Sequence, residues 1–253
     1  MPIAHQTDHI DLPTAPGVSP RLIRFCALAT LLIPVVAIPG LGILVMASSV
    51  DIPRNHGRQF LDDLAAGGNL AGLAPWLLGA IPLLSMFLWL GAYWSLRTEN
   101  RPVMQVAAAA GLVSIAIQSM VAVAAAVIVG HILPAWADST DPVFRAALAS
   151  DFNVAQWVFD AALAMFDMFL FVAQVAAAVV MLQTRGRIWT VAAWLGLISG
   201  ALNVIGVFTF AADSLNAFAT AGFFVGMAWV IAVAVSLFAT ARSRGESLGH
   251  GVA

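Results

Sequence analysis

The sequence predicts an all-α fold, a polytopic transmembrane helix bundle with six spans and both termini cytoplasmic. Three observations carry that prediction. Hydrophobic residues make up 61% of the 253 residues and charged residues only 9%, against roughly 25% charged in soluble domains. The mean hydropathy of +0.94 makes the bilayer the natural solvent for so much apolar surface. The arginines alternate from loop to loop, as the positive-inside rule requires of a chain that crosses a membrane repeatedly.

Residues 1–20 carry Asp8 and Asp11, several prolines and no basic side chain. They read as a flexible cytoplasmic tail and lack the basic start of a signal peptide. The first apolar run, 22–48, is longer than a signal-peptide core and reads as a retained span, with cleavage near Ala47 as the alternative. It holds Pro34, Pro39, Gly40 and Gly42, which predict a kink or a break because proline removes a backbone donor and clashes with the preceding turn. Five more apolar runs of about 20 residues or more follow at 71–96, 103–130, 155–183, 188–210 and 221–241. The transmembrane domain is therefore 21–242, and 243–253 form a second cytoplasmic tail.

Arg21, Arg24, Arg97, Arg101, Arg185, Arg187, Arg242 and Arg244 fall on one side of this arrangement. Arg54, Arg58 and Arg145 fall on the other, where Asp51, Asp62, Asp63, Asp138, Asp141, Asp151 and Asp213 outnumber them. The arginine-rich side is cytoplasmic by this count. The outer loops carry helical signals. Ser139, Thr140, Asp141 and Pro142 read as a helix start with Pro142 in its first turn, so 143–150 is expected as a short surface helix. Phe60, Leu61 and Leu64 mark an amphipathic piece within 51–66. Phe60, Leu64, Phe144 and Leu148 are expected to face protein or lipid. Trp76, Trp136 and Trp157 are expected at the outer interface, and Trp89, Trp94, Trp189 and Trp194 at the inner one.

Composition excludes several chemistries. Cys26 is the single cysteine, which removes intrachain disulfides and Cys-based zinc sites. All eleven cationic residues are arginine, which removes lysine-imine chemistry. No histidine falls within a span, so paired intramembrane haem ligands are not expected. Ser199-Gly200 follows Leu197-Ile198, so a Gly-x-Ser-Gly protease motif is not present. His56 with Asp62 and Asp63, or His131 with Asp138, has no standard metal spacing and reads as solvated loop. No catalytic residue, metal site or cofactor is expected. The net charge of -2 does not point to nucleic acid.

The fourth span is the most informative. Asn153, Asp160, Asp167 and Gln174 recur every seven residues. Seven residues fall only about 20° short of two helical turns, so the four share one stripe. Asp167 sits near mid-membrane by count, where a carboxylate costs ~2.5–3.5 kcal/mol. No basic residue lies at that depth, so Asp167 is protonated, hydrated, cation-bound or held by neutral donors. Gln118, Ser85 and Asn203 lie at similar depth and are its candidate partners. The stripe reads either as a proton or cation path through Asp160, Asp167, Gln174, Gln118 and Asn203, or as interhelical hydrogen-bonded glue. Gly196 with Gly200, and Gly222 with Gly226, are small-residue pairs that allow close helix packing within the chain or at a homodimer face.

Met181, Leu182, Gln183, Thr184, Arg185, Gly186, Arg187 and Ile188 form a short basic turn. It leads into a small-residue helix with Trp194, Leu195, Gly196, Ser199 and Gly200. This segment resembles uncharacterised six-span bacterial membrane families of unknown function. The resemblance implies their topology and carries over no activity and no site residue. At this level the chain reads as a non-enzymatic accessory or sensory protein of the bacterial inner membrane. Its partners are the lipid bilayer and another membrane protein or a second copy. The alternative is a small carrier for protons, cations or a solute that uses the acidic stripe.

Overall fold

The computed structural model describes residues 18–47, 57–66, 73–184, 186–208 and 216–249. They form helices α1 (Pro20–Ala47), α2 (Gly57–Ala66), α3 (Ala74–Leu96), α4 (Arg101–Val127), α5 (Leu133–Asp138), α6 (Pro142–Gln183), α7 (Arg187–Val207) and α8 (Asn216–Gly249). Six of the rods are long and apolar enough to cross a membrane. One of them, Arg101–Asp138, joins α4 to α5 through a single π-turn at Ile128–Ile132. Outside the described residues lie the tail 1–17, Asp51, His56, Arg185, Asp213 and the side chains of Phe60 and Asp63.

Each span packs against the one before and the one after it, and α8 closes onto α1. The six therefore stand in a ring, α1–α3–α4–α6–α7–α8, with few contacts across it. Large apolar side chains cover the outside, among them Leu28, Leu32, Val35, Leu83 and Val123. An apolar exterior on six rods of this length is what a bilayer requires and water would not tolerate. The chain is a multi-pass membrane protein.

The arginine-rich ends of the spans meet at one end of the ring. There the Arg244 guanidinium donates to the Ser95 carbonyl at 3.3 Å, and Arg24 lies beside Gly245. This half is packed solid by Ile23, Leu96, Met104, Ala177, Met181 and Leu237, all essentially inaccessible. Small residues make that closeness possible. A Cβ added to Gly91 would stand 2.9 Å from the Cys26 Cβ and 2.9 Å from Leu237, so α1, α3 and α8 touch there.

At the opposite end the long rods project. The 42 residues of α6 span about 63 Å at 1.5 Å per residue, roughly twice the hydrocarbon thickness of about 30 Å. Residues 143–150 are thus the opening turns of α6 rather than a separate surface helix. The expected start is in place, since the Asp141 Oδ1 accepts the Val143 N–H at 2.9 Å with Pro142 in the first turn. No breaker follows Pro142, and the apolar repeat continues through to the span, so the helix has no reason to stop.

The α4–α5 rod projects beside it, past the expected limit at residue 130. Pro134 has no N–H for the Gly130 carbonyl, and its ring crowds that turn. The π-turn absorbs the mismatch, with the Leu133 N–H reaching back to the Ile128 carbonyl. Against these extensions α2 buries Leu61 and Leu64, and a second small core forms from Leu61, Ile132, Trp136, Leu148, Ala149 and Phe152. The Trp136 Nε1 donates to Asp62 at 2.9 Å. Arg145 lies 4.9 Å over the same indole and donates to the Ser139 carbonyl at 2.7 Å. Leu148 faces this core, whereas Phe144 stays exposed.

Two expectations change. Helix α1 runs unbroken through Pro34 and Pro39. Trp89, Trp136 and Trp189 are buried and belong to cores; Trp76, Trp157 and Trp194 are the exposed indoles that suit an interfacial belt. Helix α8 carries its helical structure on to Gly249.

Candidate functional site: a cavity inside the ring

The stripe on α6 behaves as helical geometry demands. Asn153 is exposed, Asp160 and Asp167 are partly buried, and Gln174 is 1% exposed. The stripe therefore enters the ring as it runs toward the arginine-rich end. Where it enters, the ring is not filled. A cavity of about 400 Å³ lies within it, and all six spans contribute to its wall. It begins at Leu78, Phe159 and Ala219, near the end of the ring away from the arginines, and ends at Trp89, Gln174 and Trp229.

Of the anticipated path residues, Asp167, Gln174, Gln118 and Asn203 all line this cavity, and Ser85 joins them. Asp160 does not; it stands two turns further out on α6, and the wall begins beside it at Phe159. The structure thus brings five of these six side chains to one space and leaves Asp160 outside it.

Local sequence explains how each helix presents its polar groups. On α4, Ser114 and Gln118 are four residues apart and share a face. On α7, Ser199 and Asn203 repeat the spacing, and on α3 Ser85 is followed four residues later by Trp89. Glycines admit the larger groups. A Cβ on Gly200 would lie 2.8 Å from the Gln174 Oε1 and 2.7 Å from Phe171, so α7 approaches α6 only because that Cβ is missing. Asn203 presses its amide against Gly222 of α8, and Trp229 lays its indole over Gly196. Gly226 faces the Ser199 Oγ. The glycine pairs therefore serve packing between spans of this chain.

The polar groups of the wall divide by whether their hydrogen bonds are made. The Ser114 hydroxyl donates to the Gly111 carbonyl at 2.7 Å, and the Ser199 hydroxyl to the Gly222 carbonyl at 3.1 Å, tying α7 to α8. By contrast, both amide atoms of Gln174 and the Oε1 of Gln118 are buried with no hydrogen-bond partner among the described residues. An unmatched buried polar group costs about 1–3 kcal/mol, so native proteins retain few of them without a reason. Among the described residues Asp167 is the only ionisable side chain in the wall.

Sequence reasoning missed Ser114, Ser199, Trp89 and Trp229 as members of the wall. The signal that could have found the serines was present, since each lies one turn from a polar residue already singled out. The indoles gave none: Trp89 reads as an inner-interface anchor, and Trp229 stands alone at mid-span with no polar residue one turn away to mark it.

No protein-family model, curated protein or solved structure matches the chain, so the chemistry of the site is read from its own geometry.

Proposed function

We propose that this protein is a solute-binding membrane protein of the carrier class, taking a small solute into the cavity enclosed by its six spans. The observation that carries the reading is the pairing of a cavity of about 400 Å³ with a fully buried, unpartnered Gln174 amide in its wall. The volume falls within the range of about 300–1,000 Å³ typical of small-molecule sites. A mostly apolar wall with a few converging polar groups is their usual composition. In this reading Asp167, Gln118, Gln174 and Asn203 contact the solute, and Asp160 lies along its approach. The distribution of arginines supports both termini in the cytoplasm and, with them, a cavity loaded from the outer side; a bacterial inner membrane is the location this reading proposes.

A second reading draws on the packed arginine-rich half, which closes the cavity at that end. A solute bound from one side and never released on the other would make the protein a sensor or accessory subunit. Reconstitution of the full chain in liposomes, with a panel of small solutes, separates these. We expect saturable binding and flux that Ala37→Phe, which fills the cavity from α1, abolishes without loss of folded protein. Binding without flux would replace the carrier with the sensor. Neither binding nor flux above protein-free liposomes would overturn both.

A further inference from the structure

We infer that the solute is an amphipathic organic cation, an ammonium group on an apolar or aromatic body, with Asp167 as its counter-charge. This rests on the preceding reading that the cavity binds a solute, and it narrows the class by charge, by wall chemistry and by the orphaned acceptors.

Charge comes first. Among the described residues the wall holds one carboxyl group, that of Asp167, and no basic side chain. Among the described residues Asp167 has neither an ion-pair nor a hydrogen-bond partner. An anion would meet an uncompensated acid in a low-dielectric space, where like charges repel most strongly. A proton would satisfy the acid but needs no cavity. A bare metal ion fits poorly, because hard cations take six to eight oxygen ligands, and among the described residues no three His, Cys, Asp or Glu side chains converge.

The rest of the wall suits an organic body. Trp89, Phe159, Phe166, Phe223 and Trp229 all face the space. Trp89 and Trp229 stand with ring centroids 5.8 Å apart and planes tilted by 46° at the closed end. Ring faces attract a cation through their quadrupole, tryptophan most strongly, and the attraction grows when water is excluded. The orphaned acceptors point the same way. Among the described residues the Oε1 atoms of Gln118 and Gln174 are acceptors without donors, and an ammonium group brings N–H donors and no acceptor, so it meets these oxygens and leaves the Gln174 Nε2 donor to other groups. One ligand type therefore answers the carboxylate, the aromatic faces and the unpaired carbonyl oxygens together.

The test is a charge series on one skeleton, measured by equilibrium dialysis against the full chain in lipid nanodiscs, with protein-free nanodiscs as the partition control. The probes are 3-phenylpropylammonium, 3-phenylpropan-1-ol and 3-phenylpropanoate. We expect the cation to bind about tenfold or more tighter than the alcohol, and the anion weakest. Asp167→Asn should weaken the cation on the order of 30-fold and shift the alcohol by less than about threefold. Asp167→Glu should keep the preference for the cation, which covers the case where the amide variant does not fold. The inference is overturned if the alcohol matches the cation in the wild type, or if the preference survives in Asp167→Asn. Binding of the alcohol or of another panel solute without any gain for the cation would remove the cation class and leave the solute-binding reading intact. Failure of all three probes together with every panel solute would remove both.

Discussion

The two halves of the ring are built from the same six helices yet differ in what lies between them. At the arginine-rich half the inward positions are small or snugly matched: Cys26, Ala27, Gly91, Ala107, Ala177, Ala178, Ala192, Leu237 and Ala241. The backbones approach until no space remains. In the other half the inward positions alternate serine, asparagine and glutamine with phenylalanine and tryptophan. Glycines let neighbouring helices close on one another there, as Gly200 does for α6 and Gly222 for α7, but the side chains that point inward do not fill the space within the ring. Within a membrane there is little hydrophobic force between helices, so association rests on close packing and interhelical hydrogen bonds. The small-residue half supplies the first. It can therefore anchor the bundle while the other half leaves polar groups unpaired.

The difference can be broken most sharply by sidedness. Single cysteines at Glu99 and Thr140 sit at opposite ends of the ring, both exposed, while the native Cys26 is fully buried and silent. We expect a membrane-impermeant maleimide applied to intact cells to label position 140 and not position 99, an all-or-none result. Labelling at 99 alone would invert the proposed orientation and with it the side from which the cavity loads.

A matched pair of substitutions tests the packing contrast itself. Ala177 and Ala37 are both buried, but only Ala37 borders the cavity. Ala177→Leu should cost about 1–3 kcal/mol, the usual penalty for overfilling a packed core. Ala37→Leu has room to extend and should stay within about 1 kcal/mol of wild type. Thermal unfolding of the two variants in the same detergent reads the difference. Equal melting temperatures would mean that the two halves are packed alike.

The smallest expected effect concerns the projecting cap, which belongs to neither half. Asp62→Ala removes the acceptor of the Trp136 indole N–H, a loss of about 0.5–1.5 kcal/mol. It should raise hydrogen exchange in α2 (Gly57–Ala66) and leave the spans unchanged. Faster exchange reaching Gln118 or Gln174 would show that the cap and the cavity are coupled. Unchanged exchange in α2 would show that the bond does not hold it.

Much of this was legible without coordinates. The six spans follow from apolar runs of membrane-crossing length, which is a property of composition within a window. The α6 stripe follows from a spacing of seven against a helical period of 3.6, and Gln118, Asn203 and Ser85 were reachable by counting depth. Each of these depends only on positions along one helix. The continuity of α6 was not legible, because a helix start at Pro142 looks the same whether or not the helix ends eight residues later. The removal of Asp160 from the cavity was not legible either. It shares a face with Asp167, but the space opposite that face is set by Phe159 and by helices distant in sequence.

The sequence by itself determined the membrane as solvent, the number of the spans, the segregation of arginines and the alignment of the acidic stripe, since these rest on local periodicity and on transfer from water to lipid. Only the tertiary structure decided that α8 closes on α1, that one half of the ring is sealed and the other hollow, and that the Gln174 amide is buried without a partner. Those outcomes depend on how closely pairs of helices approach. That distance is set jointly by side chains such as Gly200 and Gln174, which lie on different helices and meet only when both are in place.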